Sequence, residues 1–176
     1  MKGTMMIGLA IAAAAAIIST TGTHAAKPDV KPNTQTFLMK AAEEQEAQVA
    51  LGQLAGQQAK NARVKQFGEE MVAGHKKLIR ELDELAAARG IKLPSELADD
   101  DKRTRKELSQ LSGHAFDRTY LQYILRDHQN YVNEFEESIQ TVEDAEVLRW
   151  AHKTLPMLRA HVEEARWTKM VLHAMD

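Results

Sequence analysis

Apolar residues recur at intervals of three and four along most of the chain, and nowhere do they alternate with period two over a useful length. The clearest stripe is Val64, Phe67, Met71, His75, Leu78, Leu82 and Leu85. A second runs Leu121, Leu125, His128, Val132, Phe135, Ile139 and Val142. A third runs Val147, Trp150, Thr154, Met157 or Leu158, His161, Glu164 or Ala165, Thr168 and Leu172. Each marks one buried face of a helix.

The stop and start signals divide the chain accordingly. A first helix is expected from Asn33 or Thr34, both good N-caps, to about Lys60, in a stretch rich in Ala, Glu and Gln. A second spans Asn61 to Arg89, closed by Gly90 and Pro94. The mixed-charge segment SELADDDKRTRKELSQLSG predicts a short solvated helix around Asp100 to Leu111. Long helices follow from about Ala115 to Val142 and from Asp144 onward, with a kink expected at Pro156. The tight connections at 60/61 and 142/144 make neighbours antiparallel. The expected fold is therefore all-α: an antiparallel four-helix bundle with a short extra helix between helices 2 and 3.

The N-terminus changes the picture of location. Lys2, an apolar run from Ile7 to Ile18, and small residues at Thr23 and Ala25 predict a cleavable export signal over residues 1–25. The run is shorter than the roughly 20 residues a membrane-spanning helix needs, so no stable membrane span is expected after cleavage. An extended leader at 26–33 and a bundle domain at 34–176 complete the expected organisation, in a periplasmic or otherwise extracytoplasmic compartment. The formal charge of −2 argues against nucleic acid as a partner. Cysteine is absent, which excludes disulfides, thiolate chemistry and lipid attachment through an N-terminal cysteine.

Three of the seven histidines stand where the stripes require apolar residues. His75 and His128 each lie about fourteen residues from a tight turn, and His161 about three residues further, an offset near 5 Å at the helical rise. The three are therefore expected in one layer of the core. Burying several imidazoles is costly unless each nitrogen finds a partner, and one shared metal ion would serve all three. Supplementary ligands are sought in Glu46, at the depth of His75, in nearby Glu44, in Met71 and Met157, each one turn before a histidine, and in Glu164, one turn after His161. Imidazole with thioether favours copper; imidazole with carboxylate favours zinc or iron. The rival reading is a structural or protein-interaction bundle with no metal, its histidines forming a polar core layer.

Enzyme signatures are missing. No histidine has a glutamate three residues earlier, the positions being Val72, Leu125 and Leu158, so a di-iron centre of the Glu-x-x-His kind is not expected. There is no G-x-S-x-G and no phosphate-cradling glycine loop. Enzymatic activity would require three imidazoles holding a metal with an open water position. Gly52 and Gly56 form a small-x-x-x-small pair that permits close helix approach.

The segments FLMKAAEEQEAQVALGQLA, VKQFGEEMVAGHKKLIRELDELAAARGIKLP, LSGHAFDRTYLQYILRDHQNYVNEFE and AHKTLPMLRAHVEEA together resemble the exported bacterial family termed domain of unknown function 4142. The resemblance spans about Phe37 to Ala165. It implies a ferritin-like helical bundle with histidines at His75, His128 and His161, and it implies no particular activity. The chain departs from the family pattern at Gln48, where a glutamate is usual, and at Gly74, where an aspartate is usual, while Asp127 is retained.

Overall fold

A computed structural model describes residues 30–174 of the chain. The expected export signal and the first residues of the leader lie outside them. Five helices make up the described residues: α1 (Pro32–Gln58), α2 (Ala62–Ala88), α3 (Asp99–Ser109), α4 (Gly113–Ile139) and α5 (Ala145–Ala174). No strand forms among them; the one β contact is an isolated bridge between Ala59 and Gly113. None of these helices is long and apolar enough to cross a membrane.

Helix α1 packs along α2, and α4 along α5; α2 meets α5, α1 meets α4, and short α3 lies across α1 and α4. The chain is therefore a helical bundle. Boundaries agree with the sequence reading to within a few residues, with one correction at the start. Pro32, expected in the extended leader, is the first residue of α1, and Lys31 rather than Asn33 or Thr34 is the N-cap. Proline suits that first position because its missing N–H would have no helical partner there. Helix α5 continues through Pro156.

The connections are clamped by two side chains far away in sequence. Asp117 of α4, fully buried, accepts hydrogen bonds from the backbone N–H of Lys60 at 3.0 Å and of Asn61 at 2.9 Å, which fixes the α1–α2 turn. At the other end of α2, Gly90 adopts φ 63°, the left-handed conformation that ends a helix, and Ile91 N donates to the Ala86 carbonyl at 2.9 Å. Beside it the buried Arg89 donates to the Leu85 carbonyl and to both carboxylate oxygens of Asp144. Asp144 in turn caps α5 by accepting from the N–H groups of Glu146 and Val147.

Close approach of α1 to α2 depends on Gly52 and Gly68. A Cβ on Gly52 would stand 2.7 Å from the Gly68 carbonyl, and one on Gly68 would stand 2.6 Å from Ala55 Cβ. Gly56, expected to share this role, has room for a side chain, its nearest neighbour being 3.9 Å away.

All seven α2 stripe positions are buried. In α5, Leu158 and Ala165 take the buried positions that Met157 and Glu164 could have filled. The buried apolar residues fall into two clusters. One gathers Phe37, Leu38, Leu78, Leu82, Phe135, Trp150 and Leu158; the other Leu51, Val64, Phe67, Met71, Phe116, Ile124 and Ala165. His75 and His128 fall between these sets on their own helices, and His161 lies at the end of the first set on α5, beside Val162, so a polar layer stands where the two clusters meet.

Candidate metal centre

Each histidine takes its place from helical phase. His75 lies between Met71 and Leu78 on the α2 stripe, His128 between Ile124 and Val132 on α4, and His161 between Leu158 and Ala165 on α5. His75 and His128 are wholly buried and His161 is half-buried. Their ring centroids form a near-equilateral triangle with sides of 5.1, 5.6 and 5.6 Å. One nitrogen from each ring lies within 4.8 Å of the others.

Hydrogen bonds settle the tautomer of His75. Gln45 of α1 donates through Nε2 to the Ala41 carbonyl and to the Tyr131 hydroxyl, both at 3.0 Å. A carbonyl can only accept, so the other end of the amide, Oε1, faces His75 Nδ1 at 2.7 Å. Nδ1 must carry the proton it donates there, which leaves Nε2 of the neutral ring unprotonated, with its lone pair turned toward His161. This is how second-shell groups orient a metal-ligating histidine. His75 Nε2 faces His161 Nδ1 at 3.2 Å, close to the roughly 3.3 Å between two ligand nitrogens at 2.0 to 2.1 Å from a tetrahedral ion. His128 differs from both: among the described residues, neither of its ring nitrogens has a hydrogen-bond partner.

The site favours neutral rings. Burial holds His75 well below the ordinary imidazole value, and the neighbouring His128 and His161 lower it further. His128 is lowered to about 3 by burial and then by His161, with the Ile124 carbonyl one turn back opposing weakly but short of a normal hydrogen bond. Burial lowers His161 to about 4, against the opposing charge of Glu70. Neutral imidazole is the form that binds metal. The arrangement is geometrically compatible with a transition-metal ion.

The other expected ligands are dispersed. Glu46 is half-buried beside Asp83, and burial followed by that neighbour raises its pKa. Glu164 pairs with Arg63 at 2.7 Å. Met71 is buried in the apolar cluster containing Phe67, with its Cβ facing Gly52. Met157 stands on the outer side of His161: its Sδ and His161 Nε2 both border the space above Gly74, at 3.6 and 3.8 Å from where a Cβ on that glycine would stand, whereas His161 Nδ1 is the nitrogen that faces His75. Glu44 stands instead beside Asp127, and Gln48 donates to both carboxylates, at 2.7 and 2.6 Å. Burial and then Asp127 raise the Glu44 pKa well above its ordinary value. Among the described residues, no carboxylate belongs to the histidine cluster.

Gln45, which orients His75, is the functional residue missed by the sequence reading. Its signal was its phase: it lies on the same buried face of α1 as Leu38, Ala41 and Gln48.

No curated protein matches the chain. Among solved structures, the crystal structure of a DUF305 fragment from Deinococcus radiodurans is similar in fold, with a TM-score of 0.70 and 16% identity, covering 84% of this chain and 99% of that one. Residues 19–167 match the domain of unknown function DUF4142, and the chain belongs to that family.

Proposed function

We propose that this protein is an exported, ferritin-like antiparallel four-helix bundle that holds one copper or zinc ion through His75, His128 and His161, serving metal handling or envelope stress tolerance. The observation that carries this reading is His128. A fully buried imidazole with both nitrogens unpartnered leaves two polar atoms uncompensated, each worth about 1 to 3 kcal/mol. An ion shared with His75 and His161 compensates one of them directly and uses the lone pair that Gln45 exposes on His75. Three neutral nitrogen ligands suit zinc and copper better than iron, which favours the carboxylates that this cluster lacks. Met157, beside His161, is the residue that would tip the choice toward copper(I).

Calorimetric titration of untagged protein tests the reading. Zinc or copper is expected to bind with a dissociation constant below about 100 μM, worth roughly 5.5 kcal/mol. His75→Ala, His128→Ala and His161→Ala should each weaken binding at least about 100-fold, or roughly 2.7 kcal/mol. Wild-type binding weaker than the 100 μM threshold would remove the metal. A second reading, in which the histidines are polar packing in an interaction module, draws on the His75–His161 hydrogen bond of 3.2 Å. It predicts no metal response and a His75→Leu variant as stable as wild type.

Export rests on the short apolar run and the Thr23-x-Ala25 site. Mass spectrometry of the mature protein is expected to find its N-terminus at or near Ala26. An intact Met1 chain in the membrane fraction would overturn export by cleavage.

A further inference from the structure

The hydrogen bonds that orient His75 also fix what His161 presents to solvent. Gln45 Oε1 accepts from His75 Nδ1 at 2.7 Å, so His75 Nε2 is bare, and it can bond His161 Nδ1 at 3.2 Å only by accepting. His161 Nδ1 therefore carries the proton of its neutral ring, and His161 Nε2 holds the lone pair. That nitrogen turns away from the cluster. It borders the space above Gly74, 3.8 Å from where a Cβ on that glycine would stand, and Met157 Sδ borders the same space at 3.6 Å. Met157 lies one turn before His161 on α5, so the two side chains share a face. All three residues are half-buried, in the seam where α2 meets α5.

We propose that His161 Nε2 and Met157 Sδ bind a soft monovalent cation of the copper(I) class in this seam, outside the three-histidine cluster. Unprotonated imidazole and thioether are donors that such an ion prefers to oxygen, and copper(I) and silver(I) accept as few as two of them. The Met157 side chain has three rotatable bonds, which let its sulfur close on the nitrogen without moving the helix. Glycine at 74 puts no side chain of its own over the pair. Glu70, one turn earlier on α2, is the charge that faces His161, and it favours a cation there. The single proton of the neutral His161 ring also makes the two sites exclusive. While it sits on Nδ1, the outer site is ready and the inner set lacks one of its three lone pairs. Once it moves to Nε2, Nδ1 can join His75 and His128, and the outer site loses its nitrogen. An ion arriving from solvent meets the outer nitrogen first. The outer site takes no ligand from His75 or His128, so it stands whether or not the cluster ever holds an ion.

Heteronuclear NMR of the metal-free full chain tests the tautomer, a readout that does not depend on any variant folding: His161 is expected to show a protonated Nδ1 and a bare Nε2. Silver(I), a probe of copper(I) coordination that keeps its oxidation state, is then expected to shift the Met157 methyl resonance and the His161 Nε2 resonance. Followed by that nitrogen resonance, Met157→Leu, which conserves side-chain volume, should weaken silver(I) at least about tenfold. His128→Leu, which breaks the inner cluster, should leave the same silver(I) affinity unchanged. Zinc separates the two sites, because Met157→Leu should not alter any zinc affinity that His128→Leu removes. The proposal is overturned if His161 Nε2 carries the proton in metal-free wild type, or if silver(I) leaves the Met157 methyl unmoved. It is equally overturned if silver(I) affinity is the same in Met157→Leu as in wild type, or falls with His128→Leu.

Discussion

Replacing Phe135 by alanine is expected to lower the unfolding free energy by about 3 to 5 kcal/mol, the usual cost of emptying a buried phenylalanine site. Phe135 is 2% exposed on α4. Its ring centroid lies 5.2 Å from that of Phe37 on α1, 6.0 Å from that of Trp150 on α5 and 5.5 Å from that of Tyr131. Phe37 and Trp150 themselves meet edge to face at 6.2 Å. One side chain thus joins three helices, and its loss removes aromatic pairing as well as transfer energy. So large a fraction of a domain's typical 5 to 15 kcal/mol should be plain in urea unfolding followed by far-ultraviolet circular dichroism. The adjacent Glu136 provides the contrast: its 2.6 Å pair with Arg159 is solvent-exposed, and Glu136→Ala should change stability by less than about 1 kcal/mol. A Phe135→Ala loss below about 1 kcal/mol would mean that α4 presents a different face to the core.

The same phase argument explains which features could be read from the sequence. In α2 the contrast between Leu, Phe or Met and the intervening Lys and Glu is high, so the stripe from Val64 to Leu85 could be assigned residue by residue, His75 included. Depth counted from the turns then placed the three histidines in one layer, because helical rise is constant over uninterrupted helices. Helix α1 gives no such contrast. Its buried face holds Ala41, Ala42, Gln45, Ala47, Gln48 and Gly52, residues equally at home on a surface. Counting depth along it pointed to Glu46, whereas the phase puts Gln45 against His75 and turns Glu46 toward Asp83.

The clamps were illegible for another reason. Arg89 beside Gly90 looks like an ordinary helix end, and Asp117 an ordinary first-turn acid. Their roles depend on Asp144 and on the Lys60–Asn61 turn, more than fifty residues away in each case. No local pattern encodes such a meeting. Likewise the glycine that faces Gly52 is Gly68 on the neighbouring helix, a pairing across the turn that the spacing of Gly52 and Gly56 could not disclose.

Acidification is expected to destabilise the metal-free protein through its histidines, and the His128→Leu variant isolates the effect. Burial depresses all three rings in the folded state, His128 to about 3 and His161 to about 4, while an unfolded imidazole titrates near 6.5. Between those values the unfolded chain binds protons that the folded chain refuses, so stability is fully present above about pH 6.5 and falls as pH drops toward the folded values. For one such histidine the loss between pH 7 and pH 5 is about 2 kcal/mol. Glu44 and Asp127 work in the opposite direction. Burial raises both in the folded state, so folding takes up protons at these carboxylates as pH falls. The net slope is therefore shallower than three histidines alone would give, and a comparison of variants is cleaner than an absolute value. Urea unfolding at pH 7 and pH 5 in the presence of chelator should show His128→Leu losing about 2 kcal/mol less than wild type. Equal losses in the two proteins would mean that His128 is already charged, or reached by solvent, in the folded state. The same depression moves proton competition for a bound ion. An ordinary imidazole site would release its metal as pH fell through 6.5, but a site whose most exposed ring, His161, titrates at about 4 should hold its affinity nearly level from pH 8 to pH 5 and lose it only below.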